Sequence, residues 1–311
     1  MSRHSHVLVG YDGSKEGEGA LRWAVTEAKR RRLALTVCHA WHWPYPMGQI
    51  DPEWLGIIKR MAEHVLGHGV FLAATMAPTL KVSKRLLPGP AASALLHEAA
   101  DAELIVVGAQ GQAGLPLGSA AVQVAALASC PVIVVRDTGH TDGRIVVGVD
   151  GSAGGDAALA FAFEEAALRE LQVHAVYGCW EQDAIPDAEL SPYADIEGLK
   201  RSAGTRLERA VSPWRDKFPQ VEAWTHLVLK PPRVALIEAA AGADLLVVGD
   251  RGAGGIPPLR LGAVSQAMLH HAPCSVVVVH PWRAPDELGR NLRGDGGIAA
   301  ERIGSAAGGR G

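Results

Sequence analysis

The chain has 311 residues, which at about 150 residues per domain is enough for two domains, and its 48% hydrophobic content can fill a core in each. A formal net charge of -3 excludes the strongly basic composition of dedicated nucleic-acid-binding proteins. No apolar run approaches the roughly 18 to 20 residues that span a bilayer, so we expect a cytoplasmic protein with neither a nucleic-acid nor a membrane partner.

Short apolar runs alternate with helix-like segments along the chain. In order, the first such runs are HVLVG, LALTVCHAW, ELIVVG and PVIVV, which are bounded by glycine or proline and lack a clean polar alternation. This pattern predicts strands that are buried on both faces. The segments 19–32 and 156–171 have helical spacing. Together they predict an α/β fold in which helices cover both faces of a parallel sheet.

The chain also repeats itself. The segment VLVGYDGS at 7–14 returns as IVVGVDGS at 145–152, and LIVVGAQG at 104–111 returns as LLVVGDRG at 245–252. A period near 140 residues is far longer than the roughly 20 to 50 residues of a solenoid repeat, which indicates a duplicated domain. We place the two domains at residues 5–136 and 144–281. We expect the glycine- and arginine-rich tail, residues 283–311, to be disordered.

The cysteines and histidines carry no metal-binding pattern. The four cysteines form no CxxC pair, which predicts buried, reduced thiols instead of a disulfide framework or a zinc site. The histidines show no HExxH spacing, so no metal ligand is assigned.

A glycine-rich loop in the second copy is the most informative segment for function. Residues 247–269 read VVGDRGAGGIPPLRLGAVSQAML, in which a loop follows a strand and leads into a helix beginning near Gly262. Glycines let the backbone come close to a ligand, and the free N–H groups and dipole of a helix N-terminus favour phosphate. The hydroxyl of Ser265 would add to that cradle. The alternative is that the glycines only close a tight turn between strand and helix.

The spacing G-x2-G-x9-G of Gly249, Gly252 and Gly262 resembles the ATP-binding signature of the universal stress protein family. The Asp-Gly-Ser after the opening strand and the segment HAPCSVVVV at 271–279 resemble that family as well. The resemblance covers both copies and implies two tandem Rossmann-like domains, each a mainly five-stranded parallel sheet with helices on both faces. It also implies an ATP-binding regulatory protein of the stress response, with or without Mg²⁺ beside the nucleotide.

The resemblance further implies which residues contact the nucleotide in each copy. In the second copy they are Asp150, Cys179, Gly249, Gly252, Gly262, Ala263, Val264 and Ser265. In the first copy they are Asp12, Ala40, Gly108, Gly111, Gly118 and Ser119. For the two aspartates, a turn-forming role next to a serine helix cap remains an equal alternative.

The second copy is the better candidate for a nucleotide site. Only six residues separate Gly111 from Gly118, where the family signature has nine, so the first loop is short for a triphosphate. The GSVS pattern that follows the third glycine in the family is incomplete in both copies, because Ala263 replaces one hydroxyl-bearing residue and Ala121 replaces another. We therefore expect ATP to be held mainly by the second domain.

Two other functional interpretations stay open. Because some members of the family bind no nucleotide, the chain could be an interaction protein, with its terminal strands PVIVV and SVVVVH pairing within the chain or between two chains of a homodimer. The segment Ser152-Ala-Gly-Gly-Asp156 resembles the pyrophosphate loop of ATP pyrophosphatases, which are adenylating enzymes. Hydrolysis would need a general base, a pair of metal-binding carboxylates and a cation near the γ-phosphate. The sequence does not allow these to be assigned together, so we expect at most slow ATP hydrolysis. Asp250 is more typical of a turn than of a Mg²⁺ site.

Overall fold

The computed structural model describes residues 6–42, 51–109, 119–137, 139, 141–179, 196–252 and 261–281. The tail at 283–311 therefore lies outside the described residues. The first half contains β1 (His6–Gly10), α1 (Lys15–Arg31), β2 (Ala34–Trp41), α2 (Pro52–Met76), β3 (Val82–Pro88), α3 (Ala91–Glu98), β4 (Ala102–Gly108), α4 (Ser119–Leu127) and β5 (Val132–Val135). The second half contains β6 (Arg144–Gly148), α5 (Ala153–Arg169), β7 (Gln172–Gly178), α6 (Ile196–Lys217), β8 (Ala223–Val228), α7 (Pro232–Ala239), β9 (Leu245–Gly249), α8 (Ala263–His271) and β10 (Ser275–Val279).

The ten strands form one continuous sheet in the order β3-β2-β1-β4-β5-β10-β9-β6-β7-β8. Within each half all neighbouring strands are parallel. The halves join where β5 runs antiparallel to β10, with Val132 opposite Val278 and Val134 opposite Val276. The α/β fold is confirmed, the terminal strands pair within the chain, and the two predicted five-stranded sheets are halves of a single larger sheet.

Each face of the sheet carries one hydrophobic core that runs across both halves. On one face Val7 and Val9 pack with residues of α1, α2, α5 and α6. On the other face Leu8 packs with residues of α3, α4, α7 and α8. Every residue of β5 and β10 is buried, because helices cover both sides. This explains why the strand sequences are nearly continuous apolar runs.

Four charged side chains interlock where α1 meets α5, and we call them the charge ring: Glu27, Arg31, Glu165 and Arg169. Arg31 donates to Glu27 and, at 2.5 Å, to Glu165. Arg169 donates to Glu165 and, at 2.6 Å, to Glu27. The two glutamate side chains are completely buried. Each half supplies one glutamate and one arginine, and the members are equivalent positions of the sequence repeat.

Aromatic rings and burial complete the environment of the charge ring. The guanidinium of Arg169 lies 4.7 Å from the ring centroid of Trp23, and that of Arg31 lies 5.6 Å from the centroid of Phe161. Burial raises the pKa of Glu27, and the nearby carboxylate of Glu165 raises it further, while the two arginines oppose both effects. The ring is therefore a buried, charge-balanced contact between the two halves.

The cysteines largely follow the prediction. Cys38, Cys130 and Cys274 are buried, and burial raises the pKa of the first two thiols to about 12 and of the third to about 11. Cys179 differs, because it is only half-buried just beyond the end of β7. Among the described helices, none combines the length and apolar composition needed to cross a membrane.

The stacked pair of His174 and His226 leads us to expect that acid lowers the stability of the fold. His174 on β7 and His226 on β8 have ring centroids 5.0 Å apart and a nitrogen-to-nitrogen distance of 3.0 Å. Burial lowers the pKa of His174 below 6.5, and the positive charges of His226 and Arg144 lower it further, while Glu222 opposes them. The unfolded chain then binds more protons than the folded one, so stability should fall as the pH drops below about 6.5.

The measurement is the urea midpoint of unfolding at several pH values between about 8 and 5.5. The variant His174→Phe keeps a stacking ring but cannot titrate, so its midpoint should fall less on acidification than that of the wild type. Parallel curves for the two proteins would show that His174 does not contribute.

Candidate functional site

The site is built on the loops that follow the parallel strands of the second half. After β6 the chain turns through Asp150 and Gly151, whose φ of 76° favours glycine. Asp150 Oδ1 accepts a hydrogen bond from the backbone N–H of Ser152 at 3.0 Å. Ser152 Oγ in turn accepts from the N–H of Gly155 at 3.1 Å and caps α5. The turn-and-cap role expected for Ser152 is confirmed.

The carboxylate of Asp150 lies against two glycines. A Cβ placed on Gly155 would lie 2.9 Å from Oδ1 of Asp150, and a Cβ on Gly252 would collide with Oδ2. Gly252 belongs to the glycine-rich loop after β9, so the structure brings together two predicted site residues that are about 100 positions apart in sequence. Any larger residue at position 252 would displace the carboxylate of Asp150.

Gly249 has a packing role that the sequence spacing did not reveal. A Cβ placed there would lie 2.5 Å from the carbonyl carbon of Gly154, in the first turn of α5. Its counterpart in the first half, Gly108, would place a Cβ 3.0 Å from the backbone of Glu16 in α1. Both glycines therefore let a helix approach the end of a central strand. This is the alternative role given above for the loop, in which the glycines only close a tight turn between strand and helix.

The segment Ser152-Ala-Gly-Gly-Asp156 is also used for packing. A Cβ on Gly154 would collide with the carbonyl oxygen of Arg251, and Gly155 is pressed against Asp150. Close helix-to-loop packing accounts for both glycines, so these contacts give no support to the adenylating-enzyme reading.

Among the described residues, no side chain caps the N-terminus of α8. Gly262 is its N-cap residue, and its own N–H donates to the carbonyl of Asp250 at 2.8 Å. The next three residues, Ala263, Val264 and Ser265, carry backbone N–H groups that have no partner within an α-helix. By contrast, the side chains of Ser14 and Ser152 cap α1 and α5. Within the part of the chain that the structure describes, the first turn of α8 therefore keeps three backbone N–H groups for an anion, at the sheet edge where Asp150 lies.

The hydroxyl of Ser265 already has a hydrogen-bond partner in the structure. This residue is buried, and its Oγ donates to the carbonyl oxygen of Gly249 at 2.6 Å. The third residue of α8 points its side chain back at the end of β9, so its single hydroxyl proton already has an acceptor. Ser265 can contribute its backbone N–H to a phosphate, while the hydroxyl supports the loop.

Asp250 is placed as a turn residue. It is only 2% exposed, and its Oδ2 lies 3.7 Å from Nε of Arg251. Its backbone carbonyl receives the N–H of Gly262, and its own N–H donates to the carbonyl of Val279 at 2.8 Å. Within the described part of the chain, no cluster of three or more potential metal-binding side chains is present.

The other end of the site lies at β7. The N–H of Cys179 donates to the carbonyl of Val228 at 3.1 Å, which ties the end of β7 to β8. Arg206 of α6 reaches this end, with its Cδ 3.3 Å from the Cβ position of Gly151 and its Nη1 3.5 Å from Oη of Tyr177. Sequence reasoning missed Arg206, because nothing in a helix of mixed charge distinguishes one arginine from its neighbours.

The equivalent site of the first half is built differently. Asp12 Oδ1 accepts from both the backbone N–H and the hydroxyl of Ser14, at 3.0 and 2.6 Å. Tyr11 is buried beside it, and its hydroxyl is hydrogen-bonded to Nδ1 of His68 at 2.8 Å. Ala40 lies within β2 opposite Leu87 of β3. Gly111 and Gly118 lie outside the described residues, and Ser119 begins α4.

A separate cleft of about 370 Å³ lies elsewhere, along the outer side of α1 where the halves meet. Its lining includes Lys15, Arg22, Arg30, Arg136 and Asp244. None of the predicted nucleotide contacts lines it.

Comparison with known proteins identifies the fold family. A model of the universal stress protein family matches residues 4–136 and 143–280. The chain belongs to the universal stress protein family. It is similar to the universal stress protein Rv2005c of Mycobacterium tuberculosis, with 31% identity over 293 residues, covering 88% of this chain and 96% of the relative. It is also similar to the universal stress protein Rv2623 of that organism, with 28% identity over 297 residues, covering 88% of this chain and 95% of the relative.

Solved structures support the same architecture. A universal stress protein from Archaeoglobus fulgidus DSM 4304 superimposes with a TM-score of 0.66 at 18% identity, covering 90% of this chain and 99% of that one. At this identity the likeness shows the fold alone. The tandem universal stress protein architecture is therefore shared along nearly the full length of the matched chains.

Proposed function

We propose that this universal stress protein binds ATP, mainly in its second half, and acts as a nucleotide-dependent regulatory protein of the stress response. The observation that carries the proposal is the uncapped first turn of α8, which lies at the same sheet edge as Asp150. An uncapped helix N-terminus attracts phosphate through its N–H groups and its dipole. A carboxylate one strand away can accept hydrogen bonds from ribose hydroxyls.

The residues of the site fit a nucleotide better than they fit a catalytic metal centre. The N–H groups of Ala263, Val264 and Ser265 would hold phosphate, and Asp150 would hold the ribose. Asp250 is buried with its carboxylate beside Arg251, so Mg²⁺ would be bound chiefly by the phosphates themselves. This arrangement supports binding and slow turnover at most.

The direct test is to purify the protein without added nucleotide, denature it, and quantify the released adenine nucleotides by chromatography. One ATP per chain supports a site in the second half alone. Two per chain would mean that the first half also binds. If none is released and calorimetry detects no ATP binding with Mg²⁺, the proposal is wrong.

Matched aspartate variants should locate the site. Asp150→Asn should weaken ATP binding about tenfold or more, because an amide replaces a charged acceptor of the ribose hydroxyls. Asp12→Asn makes the same change at the equivalent position of the first half and should leave the affinity unchanged. Calorimetric titration of both variants distinguishes the halves, and equal weakening by the two changes would contradict a dominant second site.

A protein-interaction function is the second candidate, and one observation favours it. On α2 the side chains of Trp54, Met61 and Phe71 are exposed by 59%, 65% and 66%, within an arc of about 100° around the helix. Light scattering tests whether chains associate, since a monomer has a mass of 32.7 kDa and a homodimer has twice that mass. A dimer that releases no nucleotide on denaturation would support this candidate over ATP binding.

A further inference from the structure

We propose that Arg206 of α6 is a contact for the base of the nucleotide and that it distinguishes the second site from the first. This inference rests on the proposed function and assigns a residue that the glycine signature does not include. Two observations support the inference. Arg206 lies beside the turn that contains Asp150, and the first half has a different residue at the equivalent position.

The order of the strands determines which part of a nucleotide Arg206 would meet. The glycine-rich loop follows β9, Asp150 follows β6, and Tyr177 lies near the end of β7, with β6 between the other two strands. A phosphate at the N-terminus of α8 and a ribose at Asp150 direct the base toward β7. Two strand spacings, about 10 Å, separate β9 from β7. Arg206 therefore lies at the end of the site opposite to the phosphates.

The local contacts of Arg206 leave its guanidinium available. Its aliphatic stem rests on Gly151, where a Cβ would lie 3.3 Å from Cδ. Nη1 is 3.5 Å from Oη of Tyr177, which is at the limit of a hydrogen bond. Among the described residues, no carboxylate forms an ion pair with Arg206, and the side chain is exposed.

A planar guanidinium is suited to a flat aromatic ligand. Arginine stacks on aromatic rings and donates hydrogen bonds from a rigid fork, so it recognises the face or edge of a purine base. Tyr177 lies beside it and offers both a ring and a hydroxyl. The pair would form the base end of the site, as the first turn of α8 forms the phosphate end.

The first half lacks this arrangement. Val65 of α2 occupies the position equivalent to Arg206, because the hydrogen bonds that end the two helices, from Leu80 to Ala77 and from Val221 to Phe218, differ by 141 in residue number. The position equivalent to Tyr177 is His39, whose Nδ1 is 2.8 Å from the carbonyl oxygen of Tyr11. The first half thus has an uncharged valine and a histidine tied to Tyr11 where the second half has Arg206 and Tyr177, so this position supplies no cation over the turn that contains Asp12.

The test compares adenosine with ATP by calorimetric titration of the full chain. Arg206→Ala should weaken both ligands by the same factor, about tenfold, because a contact to the base is present in each. Arg206→Lys keeps the charge but loses the planar fork, so it should weaken both ligands to a similar extent. Arg209→Ala removes an exposed arginine from the same helix and should change neither affinity.

The outcomes separate this inference from the proposed function. If Arg206→Ala weakens ATP much more than adenosine, Arg206 contacts phosphate and the base assignment is wrong. If the wild type binds ATP and Arg206→Ala binds both ligands normally, only the inference about Arg206 fails. If the wild type binds neither ligand, the proposed function fails and the inference fails with it.

Discussion

Replacing Glu165 with glutamine should lower the free energy of unfolding by about 3 to 5 kcal/mol, because it leaves two largely buried arginines facing a single buried carboxylate. The side chain of Glu165 is completely buried and accepts hydrogen bonds from both Arg31 and Arg169. An amide keeps the shape but removes the charge that compensates the guanidiniums. Urea unfolding followed by circular dichroism measures the change.

A second glutamate–arginine pair with the same four-residue spacing lies in α1, is more exposed to solvent, and provides the control. Glu18 and Arg22 are four residues apart in α1, with a closest distance of 3.6 Å and side chains that are 37% and 56% exposed. Glu18→Gln should change the free energy of unfolding by less than about 0.5 kcal/mol. If both variants lose the same stability, burial of the charge ring is not what makes it important.

Replacing Gly249 with alanine should destabilise the protein by about 1 to 3 kcal/mol, because the new methyl group would press on the backbone of α5. The carbonyl carbon of Gly154 lies 2.5 Å from the Cβ position, and a backbone atom cannot move aside as a flexible side chain can. The whole first turn of α5 must shift. The unfolding midpoint in urea gives the size of the effect.

Gly204 is the matched control for this substitution. It lies within α6, and a Cβ there would meet nothing within 4 Å. Gly204→Ala should therefore stabilise the protein by about 0.5 to 1 kcal/mol, since alanine has the higher helix propensity. The same chemical change thus has opposite expected signs at the two positions. Stabilisation by Gly249→Ala would refute the packing account of the strand end.

The strands could be predicted from the sequence because strands that are buried on both faces have a distinctive local composition. Runs such as LIVVG are apolar without alternation, which only a sheet covered on both faces requires. The family resemblance and the unprotected edges of the terminal strands both favoured their pairing, but left open whether it occurs within one chain or between two. The charge ring was not predicted, because Glu27 and Arg31 are four residues apart and look like an ordinary solvent-exposed helix pair. Only the meeting of α1 and α5 buries them.

The candidate site was predictable in its residues but not in their roles. The spacing of Gly249 and Gly252 located the loop, yet a glycine needed for a ligand and one needed for a neighbouring helix have the same sequence. Ser265 followed the expected pattern, but the orientation of its hydroxyl toward Gly249 depends on how α8 meets β9. Arg206 comes from a helix remote in sequence, so only the folded arrangement associates it with Asp150.

The antiparallel pairing of β5 with β10 sets the directions in which the two halves face. Because β5 and β10 run in opposite directions, the carboxyl ends of the first five strands and those of the second five face opposite margins of the sheet. A molecule docked over Asp12 and one docked over Asp150 approach the protein from opposite directions. Two ligands bound at these opposite margins would therefore not collide with each other.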